Sequence, residues 1–121
     1  MKPLLANDLP NFIKRFGNFV DAEIRSVDVI SPCVIHVVIA CQDSARGFDW
    51  LTLNLEFSSV IDVKLLEDAK LLLVDMSDGI SIVNEENSFA FGIGNYKNLS
   101  GIKNAISYII SSSLKYEEGP F

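Results

Sequence analysis

The chain has 121 residues, 49% of them apolar and 21% charged, which is the size and balance of one globular domain around one hydrophobic core. Sixteen acidic against ten basic residues give a net charge of −6, which repels phosphate backbones and argues against nucleic acid as a partner. No apolar run approaches the roughly 18–20 residues that span a bilayer, and Met1 to Asp8 holds no apolar stretch of signal-peptide length. A soluble, cytoplasmic protein with no membrane partner is expected.

The first element reads as a short helix. Leu9, Phe12, Ile13 and Phe16 recur at helical spacing, Asn7 or Asp8 can cap it, Pro10 fits its first turn and Gly17 its end. Ala22 to Ile30 reads as a strand whose alternation breaks near Arg25-Ser26, the mark of a bulge. Ser31-Pro32 leads to a second strand, Cys33 to Cys41, apolar on both parities except at His36, which predicts a central strand covered on both faces. Gln42 to Gly47 is a loop. In the third strand, Phe48 to Phe57, Leu51, Leu53, Leu55 and Phe57 alternate with Thr52, Asn54 and Glu56, as a half-buried strand requires.

Ser58-Ser59 then leads to a fourth strand from Val60 to Leu66, and residues 65–74 read as a turn followed by a strand, with a helical turn as the alternative. Ser77-Asp78-Gly79 predicts a hairpin turn into Ile80 to Val83, and Asn84 to Asn87 a second turn. Phe89, Phe91 and Ile93 alternate with Ala90, Gly92 and Gly94 in a last strand. A terminal helix is predicted from Asn98 or Ser100, with Ile102, Ala105, Ile106, Ile109 and Ile110 on one face, continuing through Leu114 before a polar tail. The fold expected is therefore one α+β domain over residues 1–121. It is an antiparallel meander of five to seven strands flanked by an N-terminal and a C-terminal helix. Leu51, Leu53, Leu55, Phe57, Ile106 and Ile110 should be buried.

The chemical inventory is thin. His36 is the one histidine, and on its strand face stand Val34, Val38 and Ala40, with no carboxylate beside it in sequence to share a proton. Cys33 and Cys41 share the opposite face about 27 Å apart, too far for a disulfide and pointing away from His36, so they read as small buried hydrophobes rather than nucleophiles. One histidine and two cysteines on opposite faces cannot build a zinc tetrahedron. The run from Asp75 to Glu86 places Ile80 where a calcium loop needs glycine. Gly92-Ile93-Gly94 has Lys97 where a dinucleotide fingerprint needs a third glycine, so the glycines are read as room for a close helix. No catalytic residue, metal or cofactor is expected.

Binding is the remaining expectation. From Asp62 to Glu86 the chain carries seven carboxylates against Lys64 and Lys70, a distribution that attracts a basic partner and speeds its encounter. Trp50 has the parity of the polar face of its strand, where an indole serves as an interface anchor. Trp50, Glu56, Asp75, Asp78, Glu85 and Glu86 are the residues expected to meet a partner.

The segment from Phe48-Asp49-Trp50 through Phe57 and Val60, then Ser77-Asp78-Gly79-Ile80-Ser81-Ile82, resembles small bacterial immunity proteins of the contact-dependent inhibition type. The resemblance covers about a third of the chain and carries no functional residue across. It implies a protein that neutralises a basic toxin domain, such as a nuclease, by covering it with an acidic surface. The alternative is a small-ligand-binding or homo-oligomeric accessory module, with a pocket or a homodimer seam near Phe89 and Phe91.

Overall fold

A computed structural model describes residues 1–121. Its strands are β1 (Lys2–Pro3), β2 (Glu23–Ser31), β3 (Val34–Asp43), β4 (Asp49–Lys64), β5 (Ile80–Glu85), β6 (Ser88–Ile93) and β7 (Tyr108–Gly119). Three short helices, α1 (Leu9–Arg15), α2 (Asp68–Leu71) and α3 (Leu99–Ile102), lie between them. All strand pairs are antiparallel in one seven-stranded sheet of order β2-β3-β4-β7-β6-β5, with β1 also on β7. The α+β class and the antiparallel sheet expected from the sequence are both present.

The sheet is two three-stranded meanders, β2-β3-β4 and β5-β6-β7, joined where β4 pairs with β7 from Thr52↔Gly119 to Lys64↔Tyr108. Each meander closes by local chemistry. Glu86 and Asn87 both take left-handed backbone (φ 54° and 61°), as a two-residue β5–β6 turn of matching twist requires. Between β3 and β4, the Asp43 side chain accepts from the Ala45 N–H at 2.9 Å, and Gly47 ends the turn at φ 64°.

Alternation along β4 sends Leu51, Leu53, Leu55 and Phe57 to one face, all buried. Ile35, Val37, Ile39 and Cys41 of β3 face the same way, because register partners on antiparallel strands share a face. This inner face is roofed by Leu9 and Phe12 of α1, by Phe16 and Phe19, and by Leu65, Leu71, Val74 and Met76 from the β4–β5 connection. The aromatic side chains interlock at its centre: the Phe12 ring meets Phe16 at 5.1 Å and Tyr116 at 5.0 Å, both edge-on. On the outer face a smaller cluster of Ala90, Ile102 and Ile110 lies under α3. A Cβ at Gly92 would sit 3.0 Å from Ile102, so the glycine does let a helix approach closely.

The C-terminal helix is corrected: α3 is a single turn, and residues 108–119 form β7. The helical spacing arose from burial of two kinds. Ile109 enters the inner core and Ile110 the outer cluster, so adjacent positions are both buried. In a strand this needs only that both faces be covered; the alternation itself shifts between Ile109 and Leu114, five residues apart yet both in the inner core, where the Ser111 hydroxyl donates to the Ser113 carbonyl. Isoleucine, serine and tyrosine fit a pleated surface at least as well as a helix, and a sixteen-residue partner strand decides the outcome. Ile106, expected in the core, is 51% exposed.

Three further expectations change. The fourth strand is not separate, because β4 runs on to Lys64 through Ser59, whose φ of 54° absorbs an irregularity. Residues 65–74 contain the helical turn α2 and no strand. Cys33 is exposed and only Cys41 is buried, while β3 is interior to the sheet with an outer face only partly covered. The bulge near Arg25-Ser26 is present as a register shift between Ile24 and Ser26.

Leu53→Ala should therefore lower unfolding free energy by about 2–5 kcal/mol in urea titrations, as other buried leucines do. Ile106→Ala should change it by less than about 0.5 kcal/mol, the usual range for a surface position.

Candidate functional site

The outer faces of β2, β3 and β4 carry polar side chains in cross-strand rows. Trp50, Thr52, Asn54 and Glu56 project there because the leucines between them fill the core. Opposite Glu56 stands His36 on β3, with Asp28 beyond it on β2 and Lys115 on the other side on β7. His36 Nε2 lies 2.8 Å from Glu56 Oε1. The row Asp28-His36-Glu56-Lys115 thus alternates in charge whenever the imidazole is protonated. The sequence places Glu56 on a polar parity and His36 beside Val34, Val38 and Ala40, and says nothing of their pairing, which the β3–β4 register decides.

Trp50 is 40% exposed and is held flat. Its ring stacks on Phe121 at 5.5 Å, and the Arg25 guanidinium lies over the other ring at 4.6 Å from its centroid. The Thr52 hydroxyl donates to the Pro120 carbonyl at 3.0 Å and keeps this segment across the sheet. Arg25 and Phe121 were not singled out from the sequence, and only a contact between distant segments identifies them.

At the end of β3, on the inner side under α1, lies a buried ionic knot. Asp43 has 0% exposure and receives two bonds from Arg15, Nε at 2.9 Å and Nη2 at 2.6 Å. Arg15 also donates to Glu118, and Arg46 approaches Asp43 at 3.6 Å. The Arg15 guanidinium, ahead of the Ala45 N–H, holds the Asp43 carboxyl below its ordinary 3.8 despite burial. Beside it, burial and the Asp43 charge push the Cys41 thiol up to about 12, so it carries no thiolate at neutral pH. No three histidine, cysteine, aspartate or glutamate side chains converge in a way that could hold a metal ion. No helix is long and apolar enough to cross a membrane.

The six residues expected at a partner interface divide into three places. Trp50 and Glu56 share the outer face of β4, about 20 Å apart. Glu85 and Glu86 lie at the tip of the β5–β6 hairpin and border a polar hollow with Asn98, Ser100 and Lys103. There Glu85 accepts from the Leu99 N–H, so its carboxylate is spent on the start of α3. Asp75 and Asp78 sit in the turn before β5. The Ser77 N–H lowers the Asp75 carboxyl by donating to it at 2.9 Å, while Asp78 lines a separate cleft with Asn18 and Tyr96. The acidic stretch is contiguous in sequence but not one surface.

Comparison with protein-family models, curated proteins and solved structures finds no match to this chain.

Because its folded value is lowered, the stability that Asp43 contributes is complete above pH 3.8 and is lost as pH falls through that lower value. Urea midpoints should fall in this acidic window, and Asp43→Asn should flatten that part of the profile. Arg15→Leu, which strands a buried carboxylate, should cost about 3 kcal/mol at pH 7.

Proposed function

We propose that the chain is a non-catalytic binding protein that neutralises a basic protein partner by covering it, most concretely an immunity protein acting on a toxin domain. The observation that carries this reading is the outer sheet face. It is left partly open beside the inner core, and it presents the half-exposed, pre-stacked Trp50 at one end and the carboxylates of Asp28, Glu56 and Glu117 further along. A rigid aromatic anchor on a face that also carries carboxylates suits a basic protein, since the anchor loses little freedom on binding and the charges steer the encounter. The resemblance to toxin-immunity proteins agrees with it.

A homo-oligomeric module is the second reading, favoured by Leu72 and Leu73, which are 87% and 82% exposed beside β2. Light scattering separates the two. A dimer dissociated by Leu72→Asp with Leu73→Asp would support self-association.

For the first reading, the reading frame immediately upstream of the gene should encode a large secreted protein whose C-terminal fragment binds this chain. A metabolic operon in that place would overturn it. Stopped-flow association with that fragment should slow steeply between low and physiological salt. Charge reversal at Glu56 should act on the on-rate, and Trp50→Ala on the off-rate, weakening binding by about 2 kcal/mol or more. A salt-independent on-rate, untouched by the reversal, would place the interface elsewhere.

A further inference from the structure

We propose that the free edge of β5 docks an extended segment of a partner protein, basic at both ends, which adds to the sheet as an eighth strand. The sheet ends in two edges, β2 and β5, and they differ. Register shifts at Ile24/Ser26 and Val29/Ser31 interrupt β2, and bulges of this kind blunt an edge against further pairing. β5 has no such protection. Its register with β6 is unbroken from Ile80↔Ile93 to Glu85↔Ser88, and Ile80–Glu85 contains neither lysine nor proline.

The backbone of β5 is poised for a partner strand. Antiparallel ladders alternate between bonded and non-bonded pairs, and the Gly94 N–H donating to the Gly79 carbonyl at 2.9 Å sets the phase. Ser81, Val83 and Glu85 therefore bond toward β6, while the N–H and C=O groups of Ile80, Ile82 and Asn84 point away from it. No hydrogen bond to a loop or side chain uses these outward groups.

A cleft of roughly 400 Å³ runs beside the strand, bounded by Ile13, Asn18, Val20, Asn95 and Tyr96. Its position is fixed by strained backbone. Asn18 and Phe19 are left-handed (φ 56° and 58°), and the Asn18 carbonyl lies 2.1 Å from where a Cβ at Gly79 would be. A bulky residue such as phenylalanine rarely adopts this conformation, and strain of this kind gathers at binding sites.

Charge selects the occupant. Asp78 stands just before the strand at the cleft, with Gly79 between, Glu86 immediately follows it, and neither takes part in an ion pair. The six residues of β5 span about 20 Å, so a slightly longer segment with lysine or arginine at each end satisfies both carboxylates. Strand addition of this type draws affinity from main-chain bonds and specificity from side chains. The edge stands on geometry alone; only the sign of the partner's charge rests on the proposed function.

The test uses the isotope-labelled chain and a synthetic peptide of about ten residues, alternating threonine and valine with two lysines at each end, beside a twin with glutamates at the ends. The lysine peptide should slow amide exchange at Ile80, Ile82 and Asn84 by about tenfold, with little effect from the glutamate twin. Asn84→Pro removes one outward N–H without touching the β6 ladder and should abolish that protection. Should that variant fail to fold, Asp78→Lys with Glu86→Lys should reverse the preference between the two peptides. Protection absent from these three amides, located on β2 instead, or equal for both peptides would overturn the proposal. A toxin fragment that binds without protecting β5 would overturn it as well and leave the proposed function standing. Protection by the lysine peptide when the upstream gene is metabolic would do the opposite.

Discussion

The pairing of β4 with β7 is the constraint on which the rest depends. These strands are the last of each meander, and their ladder turns two three-stranded units into one sheet with one inner core. Phe57 of β4 and Leu114 of β7 are register partners in that core, and Phe57 meets the Phe91 ring of β6 at 5.3 Å. Without this seam the inner core would be split, since Phe57 meets Leu114 and the Phe91 ring only across it. The seam also completes the outer face, since Lys115 and Phe121 join Trp50, His36 and Glu56 only once β7 is in register with β4.

A second constraint is polar. Arg15 leaves the end of α1 to meet Asp43 at the end of β3 and Glu118 at the end of β7, tying the roof helix to both meanders. A fully buried carboxylate is costly unless paired and hydrogen-bonded, and Asp43 is both. The knot therefore selects one docking of α1 rather than adding much net stability. Gly79 acts in the same sense at the other edge, where only the absence of a Cβ lets the turn before β5 seat on Asn18. Specificity of packing, not a large number of favourable contacts, places the two surfaces proposed to meet a partner.

Local patterns made parts of this legible. The Leu51-to-Phe57 alternation named a core strand and its polar face because a period of two leaves one choice of which side is buried. The bulge in β2 was visible as a break in alternation, and a turn was expected over Asn84 to Asn87, which the structure narrows to Glu86-Asn87. The candidate surface was legible in halves. Trp50 and Glu56 follow from parity, but Arg25, Phe121 and the β5 edge depend on which strands end the sheet. The carboxylates of Asp75 and Glu85 looked like surface charge, and each is occupied by a backbone N–H.

By itself the sequence determined the composition of one α+β domain, the presence of β3, and the first part of β4 to Phe57 with the face it shows to the core. All of these rest on periodicity within a few residues. The tertiary structure decided residues 99–114. There isoleucines spaced like a helix became one helical turn and a strand, because β4 offered a long unpaired edge and the buried positions belonged to two cores on opposite faces. It also decided the Arg15–Asp43–Glu118 knot, whose members stand 28 and 103 residues apart, since no local pattern reports which distant charges burial will bring together.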